Sequence, residues 1–134
     1  MNSREAEAKE FLEGMYGSLT KLGFYHRMDF HEPNGDLYIE FKGRTNAREK
    51  YATTMVGATK VRWLQDYQKG LFVFGFTDGF FSIRYDEALF KTFEVRKGGR
   101  CDRGIPELSQ YYYIPVELLD PISCTRHSLQ APDL

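Results

Sequence analysis

Nothing in this sequence restricts the fold more than the stretch LGFYHRMDFHEPNGDLYIEFKGR, Leu22 to Arg44. At its centre stands Asn34-Gly35, and a type I′ hairpin turn needs positive φ at both central residues, which this pair tolerates. A two-residue loop there sets Asp29 opposite Glu40, Arg27 opposite Lys42 and His31 opposite Tyr38. Side chains alternate across a strand, so these six share one face with Asp36. Phe24, His26, Met28, Phe30, Leu37, Ile39 and Phe41 take the other face. A slip of one residue would set the apolar row of one strand beside the polar row of its partner, so turn and pattern specify the same register.

The polar face carries two carboxylates side by side, with a lysine two residues beyond one of them. Like charges directly opposite each other cost up to about 1 kcal/mol, and a strand selected for solubility alone would more often oppose acid to base. Facing carboxylates suit a hard divalent cation, since Mg²⁺ takes oxygen ligands in octahedral geometry and keeps several waters.

The spacing Asp29-x10-Glu40-Phe41-Lys42 resembles the active-site motif of the PD-(D/E)XK nuclease superfamily, which includes restriction enzymes, phage exonucleases and small Holliday junction resolvases. The resemblance implies an α+β (α/β) fold with a central mixed β-sheet flanked by helices, the restriction endonuclease-like core. It implies a Mg²⁺- (or Mn²⁺-) dependent endodeoxyribonuclease, structure-specific or nonspecific, with DNA as partner. Asp29 and Glu40 would ligate the metal with the carbonyl of Phe41, and Lys42 would orient or deprotonate the attacking water. Met28 stands where the motif has proline. The resolvases also carry a strand between first helix and hairpin, for which few residues remain here. Asp36 is an alternative first acid, but four residues along one strand place it about 13 Å from Glu40. A scaffold of this kind that has lost catalysis and only binds nucleic acid is the competing function.

From Ser3 to about Thr20 the chain predicts a helix, with Ser3 as N-cap and Glu5, Glu7 and Glu10 near its positive end. Its apolar stripe is Ala8, Phe11, Leu12, Met15, Leu19 and Leu22, and Gly23 marks its stop. The resolvase resemblance asks this helix for one further catalytic glutamate, and Glu7, at the stripe's edge, is the candidate. After the hairpin, Thr45 or Asn46 can cap a second helix to about Gln68, burying Tyr51, Met55, Val56, Thr59, Trp63, Leu64 and Tyr67. Lys60 on that helix is the candidate for reaching the scissile phosphate.

Leu71 to Phe76 is apolar on both faces, as a central strand should be, and parallel to the second hairpin strand if the helix makes the crossover. Asp78-Gly79 predicts a second hairpin that pairs Phe76 with Phe81, Phe74 with Ile83 and Phe72 with Tyr85. A short helical piece at 86–90 and strands at 92–96 and 110–116 follow, the last placed at a sheet edge by Pro115.

Composition adds limits. A formal net charge of -1 over 134 residues gives no global attraction to nucleic acid. DNA contact must come from local bases: Arg44, Lys60, and the glycine-rich run holding Arg96, Lys97, Arg100 and Arg103. Cys101 and Cys124 fit no metal spacing and read as reduced thiols. The apolar runs are too short to cross a membrane, no signal peptide is visible, and a cytoplasmic location is expected. Residues 1–122 read as one nuclease-like domain and 123–134 as a flexible tail. Cutting two strands calls for two sites, hence the expectation of a homodimer.

Overall fold

In the computed structural model, which describes residues 3–23, 26–65, 68–98 and 109–122, helix α1 spans Ser3–Tyr16 and buries Ala8 and Leu12. It stops short of Gly23. Gly17 takes a φ of 91°, a left-handed conformation that costs glycine little, and its N–H closes the last turn on the Glu13 carbonyl at 3.0 Å. The residues so released form strand β1 (Thr20–Lys21), which pairs antiparallel with β2 (Phe30–Glu32). A strand between first helix and hairpin is therefore present, in two residues.

The hairpin register is the expected one: Phe30 with Ile39, His31 with Tyr38 and Glu32 with Leu37 join β2 to β3 (Leu37–Gly43). The turn is not. Four residues, 33–36, form the loop, and positive φ falls on Asp36 (52°) rather than on Asn34 or Gly35. The Glu32 carboxylate accepts the N–H groups of Asn34 (2.7 Å) and Gly35 (2.8 Å) and holds the longer loop. Lengthening a loop by one residue on each side leaves the pairing of the strands unchanged.

The ladder also ends sooner than expected. Residues 26–29 form a bend, so Arg27 does not pair with Lys42. Met28 donates its N–H to His26 Nδ1 at 3.0 Å, and the alternation breaks between Met28 and Phe30, which enter different cores.

The predicted second helix is a larger departure. A single 3₁₀ turn (Arg48–Lys50) leads into strand β4 (Thr53–Gly57), and only Ala58–Leu64 are helical, as α2. Tyr51 and Met55, expected on the buried side, are 58% and 38% exposed. Thr53, Thr54 and Val56 are β-branched and fit a pleated surface, and their partner comes from far along the chain: β8 (Ser109–Pro115), which also pairs with β7 (Glu94–Gly98). β8 is thus the middle strand of a small sheet. Pro115 sits at its end, past Tyr113, the residue that meets the first residue of β7.

Strand β5 (Lys69–Phe76) is buried from Gly70 onward and runs parallel to β3, as predicted. Its hairpin to β6 (Gly79–Arg84) turns on Thr77 and Asp78 instead of Asp78 and Gly79, pairing Phe76 with Gly79, Phe74 with Phe81 and Phe72 with Ile83. Gly79 absorbs the strain as the first strand residue, with φ of 139°. The register moves by two, so every aromatic ring keeps its face. The short helix α3 (Glu87–Phe90) is capped by Asp86, whose carboxylate accepts from Ala88 N and Leu89 N. Strand β9 (Asp120–Ile122), like β4 unforeseen, adds to the free side of β6, with Pro121 tolerated at the edge.

The result is a mixed α+β fold with a central sheet in the order β1-β2-β3-β5-β6-β9 and a small sheet in the order β4-β8-β7, consistent with a restriction endonuclease-like architecture. Ile39, Phe41, Leu71 and Val73 pack under Ala8 and Leu12 of α1. On the other side Phe72, Phe74 and Ile83 pack against Val61 and Leu64 of α2 and Val56 and Ile114 of the small sheet. Both faces of the central sheet are covered, so the polar face of the hairpin does not simply meet water.

Candidate active site

Glu40 stands on β3 on the face that α2 covers, with 2% of its surface exposed. A lone carboxylate there would be costly to ionise. Two ammonium groups offset this: Lys42 Nζ lies 3.2 Å from Oε2 and Lys60 Nζ 3.5 Å from Oε1. Even so, burial and then the neighbouring Asp29 charge push the Glu40 pKa up from 4.5 to about 7, with the two lysines pulling the other way. Oε1 is buried and makes no hydrogen bond. A buried acceptor without a donor is rare and asks for an explanation.

Asp29 lies beyond the last ladder pair, yet the bend keeps it beside β3. Its N–H donates to the Ile39 carbonyl (3.0 Å), and its Oδ2 accepts from the N–H of Phe41 (2.9 Å). The second oxygen, Oδ1, is 3.6 Å from Lys21 Nζ, which is in turn 2.8 Å from Glu5 Oε2. Burial works against the charged lysine, but the Glu5 and Asp29 carboxylates outweigh it and raise the Lys21 pKa. Glu5, Asp29, Glu40, Phe41, Lys42 and Lys60 all line one recess of about 530 Å³.

The structure thus brings Asp29, Glu40, Lys42 and Lys60 together. Lys60 also donates to the Arg27 carbonyl at 2.5 Å, which uses the backbone that the missing ladder pair left free. Glu7 is exposed and lies outside the recess, whereas Glu5 lines it. The signal for Glu5 was legible: it precedes Ala8 by three and Leu12 by seven residues, on the buried stripe. Lys21 gave no signal, since a two-residue strand has no periodicity. Asp36 is remote from this cluster and pairs with His31 Nε2 at 2.8 Å. Arg44 is committed to the fold, donating to Thr54 Oγ1 (3.1 Å) and the Met55 carbonyl (2.6 Å). Arg96 and Lys97 are exposed on β7. Arg100, Arg103, both cysteines and the tail from 123 lie outside the described residues.

Among the described residues no group of three His, Cys, Asp or Glu side chains is placed to hold a metal ion. Two carboxylates still fit Mg²⁺, which is commonly held by one or two of them and completed by water and substrate oxygens. The orphaned Oε1 and the raised pKa of Glu40 are what a cation beside it would relieve.

An acid at the end of the bend, a second on the neighbouring strand and a lysine two residues on, set on a mixed sheet between helices, form the pattern that marks the PD-(D/E)XK class of nuclease. A family model described as "Phage putative PDDEXK endonuclease" matches residues 2–122, and the chain belongs to that family. No curated protein and no solved structure matches it. No helix among the described residues is long and apolar enough to cross a membrane.

Proposed function

We propose that the protein is a Mg²⁺- or Mn²⁺-dependent endodeoxyribonuclease, structure-specific or nonspecific, with Asp29 and Glu40 as metal ligands and Lys42 as the catalytic cation. The convergence of the Asp29 and Glu40 carboxylates with the Lys42 ammonium in one recess carries this reading. A divalent cation held there would supply positive charge to the scissile phosphate and acidify a water. The Glu40 carboxylate, buried and beside Asp29, would be one of the two protein ligands to that cation. Asp29 is held in register by the Phe41 N–H. Lys42, beside Glu40 at 3.2 Å, would present its ammonium to the reacting phosphate, where negative charge gathers. Lys60, which borders the same recess, would bind a neighbouring phosphate oxygen.

The test is incubation with branched, single-stranded and duplex DNA in Mg²⁺, beside a Lys42→Ala variant and an EDTA control. Cleavage that falls at least about a hundredfold in the variant and stops in EDTA is expected. Cleavage equal in both proteins would refute the mechanism, and DNA binding without any cleavage would favour the catalytically silent scaffold. Sedimentation with and without duplex DNA tests the expected homodimer.

A further inference from the structure

The small sheet turns one face into the second core and the other outward. Val56, Tyr112 and Ile114 point inward, packed with Phe90 and Val61. By strand alternation the outward face presents Met55 on β4 and Tyr111 and Tyr113, two residues apart, on β8. Met55 is 38% exposed and Tyr113 carries the Arg96 guanidinium over its ring at 3.8 Å. Arg96, itself paired with Glu94 at 2.9 Å, covers one side of the Tyr113 ring, and Tyr111 and Tyr113 are half-buried on this face.

It is also continuous with the candidate active site. A cleft of about 560 Å³ begins at Lys42 and Lys60, the residues it shares with the carboxylate recess, and runs along Arg62 and Gln110 to Tyr111 and Met55. Its lining includes four cations and no acidic side chain. This is a local asymmetry in a chain of net charge -1. A second hollow continues beyond Met55 and Tyr113 to Arg48 and Tyr51, the latter 58% exposed. A positively charged groove interleaved with partly exposed rings is the arrangement by which proteins hold single-stranded nucleic acid, phosphates on the cations and bases on the rings.

We propose that the outward face of the small sheet is a binding platform for single-stranded DNA, which leaves the recess over Lys42 and Lys60 and stacks successive bases on Tyr111 and against the Tyr113–Arg96 pair. The platform rests on the nuclease reading only for where the strand begins. Duplex DNA hides its base faces and gains nothing from the two rings, so the platform selects frayed ends, flaps or junction arms over uninterrupted duplex.

The test is fluorescence anisotropy in EDTA with a labelled oligothymidylate, the same oligomer carrying abasic residues, and a blunt duplex, using wild type, Tyr111→Leu and Arg62→Ser. Leucine keeps apolar packing should the phenol matter for folding, and circular dichroism checks that each variant is folded. The wild type should bind oligothymidylate at least about fivefold more tightly than its abasic form. Tyr111→Leu should erase most of that difference, and Arg62→Ser should weaken both oligomers alike while lowering the salt dependence. Equal affinity of the wild type for the normal and abasic strands, or a base preference untouched by Tyr111→Leu, would overturn the proposal. Because binding is read without metal, lost cleavage with an intact base preference would remove the nuclease reading and leave the platform standing. Cleavage without base preference would do the reverse.

Discussion

Replacing Glu40 by Gln should make the protein more stable at pH 8, in a way that depends on pH. The carboxyl is 2% exposed and its pKa is raised to about 7 from 4.5, first by burial and next by Asp29. Between those two values the folded chain keeps a proton that the unfolded chain gives up, so wild-type stability is full below about pH 4.5 and declines as pH rises to about 7. At about 1.4 kcal/mol per pH unit the loss comes to about 3 kcal/mol. Glutamine has the shape of the protonated acid and does not titrate. Lys42 and Lys60, whose side chains are 37% and 24% exposed, can turn to water when the charge is gone. Urea denaturation of both proteins in EDTA, at pH 4.5 and pH 8, measures the effect. The gap between variant and wild type should widen by about 3 kcal/mol, a shift of about 1 to 2 M in midpoint for a chain of this size. Added Mg²⁺ at pH 8 should then restore the wild type and leave Glu40→Gln where it was, because the cation binds the ionised acid. A gap that stays constant or narrows with rising pH would refute the assignment of Glu40 as a strained, buried carboxyl.

Two further outcomes follow from the geometry. Lys21→Met removes the ammonium that lies between Glu5 and Asp29. Solvent screening keeps that term on the order of 1 kcal/mol, so Mn²⁺ measured calorimetrically should bind about fivefold more tightly to the variant; unchanged or weaker binding would argue that Lys21 does not compete with the metal. Gly70→Ala would set a methyl 2.7 Å from Leu64 Cδ2 and nearer still to Cδ1, prising α2 off β5. A loss of about 1–3 kcal/mol in thermal unfolding is expected, along with slower cleavage because Lys60 rides on the same helix; wild-type stability would show that α2 does not depend on this close approach.

The candidate site was readable in the sequence because its geometry is local. Asp29, Glu40 and Lys42 belong to one hairpin, and strand alternation plus a single loop was enough to bring the acids together, even though the loop proved to have four residues and the ladder broke at Phe30. The apolar run of β5 likewise declared a buried central strand, and its parallel pairing with β3 followed. What the sequence left open is what distant segments decide. Residues 53–57 read as part of a helix until β8, more than fifty positions away, offers them a ladder. Glu5 reaches the recess, and Lys21 reaches Glu5 and Asp29, only once α1 lies on the sheet and stops at Gly17. The burial of Glu40, and with it a proton held near neutral pH, exists because α2 and the small sheet cover a face that alternation alone marks as polar. Pattern within a strand fixes which side a residue takes. Only packing across the fold fixes what it meets there, since the energy of a buried charge depends on every neighbour that displaces its water.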